Sequence, residues 1–128
     1  MRTPIAHCLS WPDRIDAGVE PLDIFQVARL DFEAPDPGRF RCLGLAQQAW
    51  RAGGTASAIL NAANEISVEA FLAGDLAFTD IPDITERTLA EVSVAEASSI
   101  DVIIDADKVA RACARRLITE RVPRRMFS

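Results

Sequence analysis

Apolar residues recur at spacings of three and four through most of the chain after Pro37, and the densest run is Thr55–Ala73. Ala56, Leu60, Ala63 and Phe71 mark one seam of that run, and Ile59, Ala63, Ile66 and Ala70 mark a second beside it. A helix that is apolar around more than half of its surface packs on more than one side. This helix, opening after Gly53-Gly54 and ending at Gly74, is therefore the expected centre of the fold. A helix over 39–52 precedes it, with Phe40, Leu43, Ala46 and Trp50 facing inward, Cys42, Leu45 and Ala49 alongside, and Gly44 placed for a close crossing. A third helix starts at Asp80 as N-cap, with Pro82, Asp83 and Glu86 in its first turns and Ile84, Leu89 and Val92 as its stripe. Ala95–Asp101 reads as a loop and Val102–Ile104 as a short apolar anchor. The last helix then runs from Asp105, as its cap, to Arg121. It buries Val109, Cys113 and Leu117 and turns Arg111, Arg115 and Arg116 outward, with an Asp107–Arg111 pair in support. Pro123 stops it. Four helices on short connections predict a mainly α, antiparallel four-helix bundle over residues 38–128.

The pattern before the bundle is different. Residues 1–12 predict a short N-terminal helix with Pro4 in its first turn, Pro12 at its end and Ile5, Cys8, Leu9 and Trp11 on its buried side. Residues 13–37 predict an extended arm. Asp16-Ala17-Gly18 and Pro21-Leu22-Asp23 read as turns, and the alternation of Phe25 and Val27, then Leu30 and Phe32, reads as one or two short strands with a slip near Ala28. Such strands need a neighbouring edge.

The totals narrow the function. With 128 residues, 49% hydrophobic and 26% charged, the chain is long enough for one ordinary core. A net charge of −5 argues against nucleic-acid or anionic-membrane partners, and the absence of tyrosine removes stacking platforms. Cys8, Cys42 and Cys113 are odd in number and scattered, which fits a reducing compartment, and no zinc spacing is present. No apolar run reaches the length of a membrane span and no signal peptide is recognisable. The reading is a soluble, intracellular chain.

Candidate chemistry is sparse. Asp101, Asp105 and Asp107 form an acidic cluster that lacks the glycine and distal glutamate of a calcium loop. His7 and Cys8 are adjacent, so on a helix they diverge and make a poor nucleophile pair. Arg121–Ser128 is a basic tail that reads as solvated, with docking to an anionic partner as the other reading. Asn61, Asn64 and Glu65 place three polar groups on one side of the central helix. They read either as an acid–base remnant or as a buried polar clamp from that helix to the arm or a loop. The clamp is favoured, because no nucleophile, phosphate cradle or metal partner accompanies them. No catalytic, cofactor-binding or metal-binding residue is assigned anywhere in the chain.

Several blocks occur in a telling order: Met1-Arg-Thr-Pro-Ile-Ala-His7, Trp11-Pro12, Pro21-Leu-Asp23, Leu30-Asp-Phe-Glu-Ala-Pro-Asp36, Cys42-Leu-Gly-Leu-Ala46, Asn61-Ala-Ala-Asn-Glu65, Ala70-Phe-Leu72 and Phe78-Thr-Asp-Ile81. Together they resemble the C-terminal third of the 1-deoxy-D-xylulose 5-phosphate reductoisomerase family. The resemblance implies that residues 1–12 are the end of a catalytic domain, 13–37 a linker arm and 38–128 the C-terminal bundle. It also implies an NADPH- and Mg²⁺- or Mn²⁺-dependent homodimeric oxidoreductase of the non-mevalonate isoprenoid pathway, forming 2-C-methyl-D-erythritol 4-phosphate. The family's glycine-rich dinucleotide motif, metal carboxylates and phosphate-binding residues fall before Met1 in that comparison, so none is carried over. The resemblance also sets Met1 against a methionine that lies near the nicotinamide in family members. The expected role is a supporting domain that is inactive alone, whose partner is the rest of the reductoisomerase chain. Self-association through exposed Ile5, Leu9, Trp11 and the arm is a further expectation. The alternative is a free-standing helical interaction module derived from the enzyme.

Overall fold

Glycines and short polar caps divide the chain into helices, as a computed structural model describing residues 1–121 shows. The elements are α1 (Arg2–Ser10), α2 (Ile24–Val27), α3 (Arg41–Ala52), α4 (Ala56–Ala73), a 3₁₀ turn (Phe78–Asp80), α5 (Ile81–Glu91) and α6 (Ile100–Arg121). Contacts group them into one compact unit over Met1–Ala34 and a second beginning at Pro35. Pro123 and the rest of the basic tail beyond Arg121 lie outside the described residues.

In the N-terminal unit α1 forms as expected, but Ile5, Cys8, Leu9 and Trp11 are all exposed and do not make a buried side. The strands predicted around Phe25–Val27 and Leu30–Phe32 do not form, and no strand occurs among the described residues. In their place the Asp23 carboxylate accepts from the backbone N–H of Phe25 at 2.9 Å and of Gln26 at 3.2 Å, which winds one turn of helix. An aspartate that satisfies the first helical N–H groups competes directly with an extended backbone. The Asp16–Gly18 turn is present, with Asp16 accepting from Gly18 N at 2.8 Å.

The second unit is a bundle centred on α4, which packs against α3, α5 and α6. Its largest buried group joins Ala63 and Ile66 of α4, Leu76, Ile81 and Ile84, and Ala114, Leu117 and Ile118 of α6. A second group joins Ile59, Ala62, Val92 and Ala110. Four hydroxyls share this interior. Ser67, Thr85 and Thr88 are buried because each donates to the carbonyl four residues back, to Ala63, Ile81 and Ile84, at 2.8–2.9 Å. Thr55 solves the same problem over a longer distance. Its N–H donates to the Ala95 carbonyl at 2.9 Å and its Oγ1 accepts from Ala95 N at 3.0 Å, joining the α3–α4 corner to the α5–α6 connection.

The helix ends follow from local chemistry. Gly74 sits at φ +85°, its N–H donating to Phe71 O and that of Asp75 to Ala70 O, a left-handed cap that closes α4. The last helix begins earlier than its pattern predicts. Ser99 Oγ accepts from Val102 N at 3.3 Å, so α6 starts at Ile100 and takes in Val102–Ile104, while Asp105 lies inside the helix and caps nothing. Asp80 likewise makes no capping hydrogen bond to α5.

Two faces are turned differently from expectation. On α3 the buried residues are Leu45 and Ala49, while Phe40, Leu43 and Trp50 are exposed. On α6 the buried residues are Ala110, Ala114, Leu117 and Ile118, and Val109 is exposed. A Cβ built on Gly44 meets nothing, so no close crossing occurs there.

Candidate functional site

Asn61, Asn64 and Glu65 stay at the centre of interest, but the fold separates them. Asn61 Nδ2 donates to Glu65 Oε1 at 2.9 Å, one turn along α4, and Arg111 Nη2 of α6 donates to Glu65 Oε2 at 2.6 Å. Arg111 Nε also donates to Asp107 Oδ2 at 2.7 Å. Both Asn61 and Glu65 are exposed, so they are not the buried clamp expected from their setting. They tie α4 to α6 on the surface of the bundle, and Arg111 is the partner that spacing along α4 could not disclose. Its guanidinium, with help from the Asn61 amide, holds the Glu65 carboxyl below its ordinary range. A carboxylate stabilised in its charged form is poorly suited to act as a proton acceptor near neutral pH.

Asn64 turns the other way, into a groove of about 430 Å³ bounded by Arg39–Leu43, Val68 and Phe78–Pro82. It is half-buried, and its carboxamide makes no hydrogen bond to any described residue. The groove's walls are largely apolar, with Phe40 and Phe78 exposed at its margins and Phe78 packed edge-on against Phe71 at 5.6 Å.

A charge network stands behind the groove. Arg121 Nη2 donates to Asp80 Oδ1 at 2.7 Å and to Asp83 Oδ2 at 3.1 Å, and Arg41 pairs with Asp83 at 2.5 Å and with Glu86. It connects α3, the 3₁₀ turn, α5 and the end of α6. Arg41 first, and Arg121 second, lower the Asp83 pKa against the opposing effect of burial. A carboxylate whose native pKa is depressed adds stability that is present above its unfolded value, near 4, and is lost as pH falls through the native value. The midpoint of urea unfolding is thus expected to fall as pH drops below about 4, and Asp83→Asn to flatten that fall. A pH profile unchanged by the substitution would assign the acid sensitivity to other carboxylates.

The remaining candidates have ordinary surroundings. Asp105 pairs with Lys108 at 3.0 Å and Asp107 with Arg111, so two of the three aspartates near the start of α6 already have cationic partners. That donor set does not fit a divalent metal, and among the described residues no group of three or more potential ligands is placed to hold one. His7 packs edge-on against Trp11 at 5.4 Å beside a cavity of about 890 Å³ and makes no hydrogen bond to Cys8. Burial raises the Cys42 thiol pKa, and a thiol so shifted is a weak nucleophile. No described helix is long and apolar enough to cross a membrane.

The family model of the DXP reductoisomerase C-terminal domain matches residues 1–113. A 1-deoxy-D-xylulose 5-phosphate reductoisomerase of Acinetobacter baumannii is 53% identical over 119 residues, which are 93% of this chain and 30% of that protein. One from Pseudomonas putida is 54% identical over 115 residues, 90% of this chain and 29% of its own length. The chain thus spans about three-tenths of the length of these curated relatives. Among solved structures, the reductoisomerase from Zymomonas mobilis in complex with NADPH superposes with a TM-score of 0.79 at 43% identity, covering 91% of this chain and 31% of that one. A DOX-P reductoisomerase in complex with magnesium gives 0.76 at 42% identity, covering 92% and 32%. The likeness runs through both the N-terminal unit and the bundle, and the chain belongs to the DXP reductoisomerase C-terminal domain family.

Proposed function

We propose that the chain serves as the C-terminal supporting domain of a reductoisomerase that converts 1-deoxy-D-xylulose 5-phosphate to 2-C-methyl-D-erythritol 4-phosphate. The observation that carries this is 53% identity over 119 residues to an enzyme of that name. In this reading residues 1–12 complete the catalytic domain, 13–37 form the arm and 38–128 the bundle. NADPH and Mg²⁺ or Mn²⁺ are held by the remainder of the enzyme, which works as a cytoplasmic homodimer. The bundle is inactive alone and braces the catalytic domain through contacts that its own core does not need. Exposed Ile5, Leu9 and Trp11 belong to surface that the rest of the catalytic domain would cover.

The purified chain, given the sugar phosphate, NADPH and Mg²⁺, is expected to show no loss of NADPH absorbance above the protein-free control. The same chain replacing the matching part of the Acinetobacter baumannii enzyme is expected to restore turnover. Turnover by the chain alone would overturn the supporting role, and a folded but inactive chimera would overturn the assignment to this enzyme.

A further inference from the structure

Resting on that reading, we propose that the groove between α3, α4 and the 3₁₀ turn is the surface through which the bundle grips the rest of the reductoisomerase. The Asn64 carboxamide would be its central hydrogen-bonding anchor. Three observations converge there. Asn61 donates to Glu65 and Glu65 is held by Arg111 of α6, whereas Asn64, half-buried on the same helix, has a carboxamide that makes no hydrogen bond to a described residue. Its amide atoms are not sealed from solvent, so its donor and acceptor capacity is available to a docked chain. Beside it Phe40, Leu43 and Phe78 expose apolar surface that the bundle's own core does not cover. At the rim, Arg39 lies 5.5 Å from the Phe40 ring centre and has no carboxylate partner among the described residues.

The occupant is defined by these features. It is an apolar segment that offers a backbone amide or polar side chain to Asn64 and a carboxylate to Arg39. Its source is the part of the reductoisomerase chain outside the three-tenths of the relatives' length that this chain matches. A hydrogen-bonding side chain that becomes buried on docking, flanked by aromatic and aliphatic side chains, is the usual composition of an interface centre.

The test compares the 128-residue chain with the chimera in which this chain replaces the matching part of the Acinetobacter baumannii enzyme. Leu43→Asp and Asn64→Ala alter exposed or half-buried groove positions, so in the isolated chain the melting temperature is expected to move by no more than about 2 °C. In the chimera each is expected to lower it by about 5 °C or more and to speed proteolysis of the junction. Val109→Asp, on exposed α6 surface, is expected to change neither protein. Groove variants that behave alike in both proteins, or a Val109→Asp chimera destabilised as much, would overturn the groove while leaving the supporting role intact. An unsubstituted chimera without turnover would instead remove the reading beneath it. Sedimentation of the isolated chain as a dimer that Leu43→Asp dissociates would assign the groove to a second copy and overturn the proposal.

Discussion

Gly54→Ala is expected to destabilise the bundle by about 2–5 kcal/mol, combining left-handed backbone strain with a steric collision. The residue sits at φ +53°, and an added Cβ would lie 2.2 Å from the Ala95 carbonyl oxygen and 3.3 Å from Val94 Cγ1. The oxygen cannot withdraw independently, because it accepts the Thr55 N–H at 2.9 Å while Ala95 N donates to Thr55 Oγ1. Relief of the clash therefore means opening both hydrogen bonds and exposing Thr55, which is 1% accessible. Gly74→Ala is the matched comparison. Its φ of +85° carries backbone strain, but a Cβ there meets nothing, so the cost is limited to about 1–2 kcal/mol. Chemical denaturation of the two variants separates clash from strain. Equal losses would show that the α5–α6 connection yields freely and that the Thr55–Ala95 pair does not hold the corner.

That corner marks the boundary between what local pattern discloses and what it does not. The Gly53-Gly54 and Gly74 boundaries of α4 are readable because glycine after a periodic apolar run has a single structural use. Ala95, forty positions from Thr55, carries no signal that it accepts one hydrogen bond from Thr55 and donates another to it. The same holds for Arg111, forty-six positions from Glu65, so the Asn61–Glu65 pair is visible in the sequence while its partner is not. On α3 periodicity offers two apolar faces. The larger side chains, Phe40, Leu43 and Trp50, suggest the wrong one, because α3 is held to the bundle through Leu45 and Ala49. Alternation around Phe25 and Leu30 mimics a strand until the Asp23 side chain is counted as a competitor for the backbone N–H groups. Buried Thr85, Thr88 and Ser67 escape a hydrophobic pattern altogether, since a hydroxyl bonded to its own helix enters a core without a partner elsewhere. The fold class and family signature were legible. The groove was not, because it depends on which way Asn64 turns.

Leu117→Ala is the second large effect, with an expected loss of about 3–5 kcal/mol, the upper part of the range for leucine truncation. Leu117 is 0% accessible and packs in the cluster of Ala63, Ile66, Ile84 and Ala114, where α4, α5 and α6 meet. Ala63 and Ala114 have no flexible side chain to move into the space left behind, and Ile84, itself 0% accessible, is β-branched and restricted. A cavity that its lining cannot fill costs the lost transfer energy and the lost dispersion contacts together. Leu72→Ala provides the contrast: at 77% exposure on the same bundle it is expected to change stability by no more than about 0.5 kcal/mol. Because Leu117 does not itself line the proposed groove, the truncation should lower the stability of the isolated chain and of the reductoisomerase chimera alike, whereas Leu43→Asp should affect only the chimera. A Leu117→Ala chain within about 1 kcal/mol of the parent would mean that the helices close over the cavity, and that the bundle is less rigid than its alanine-lined interior implies.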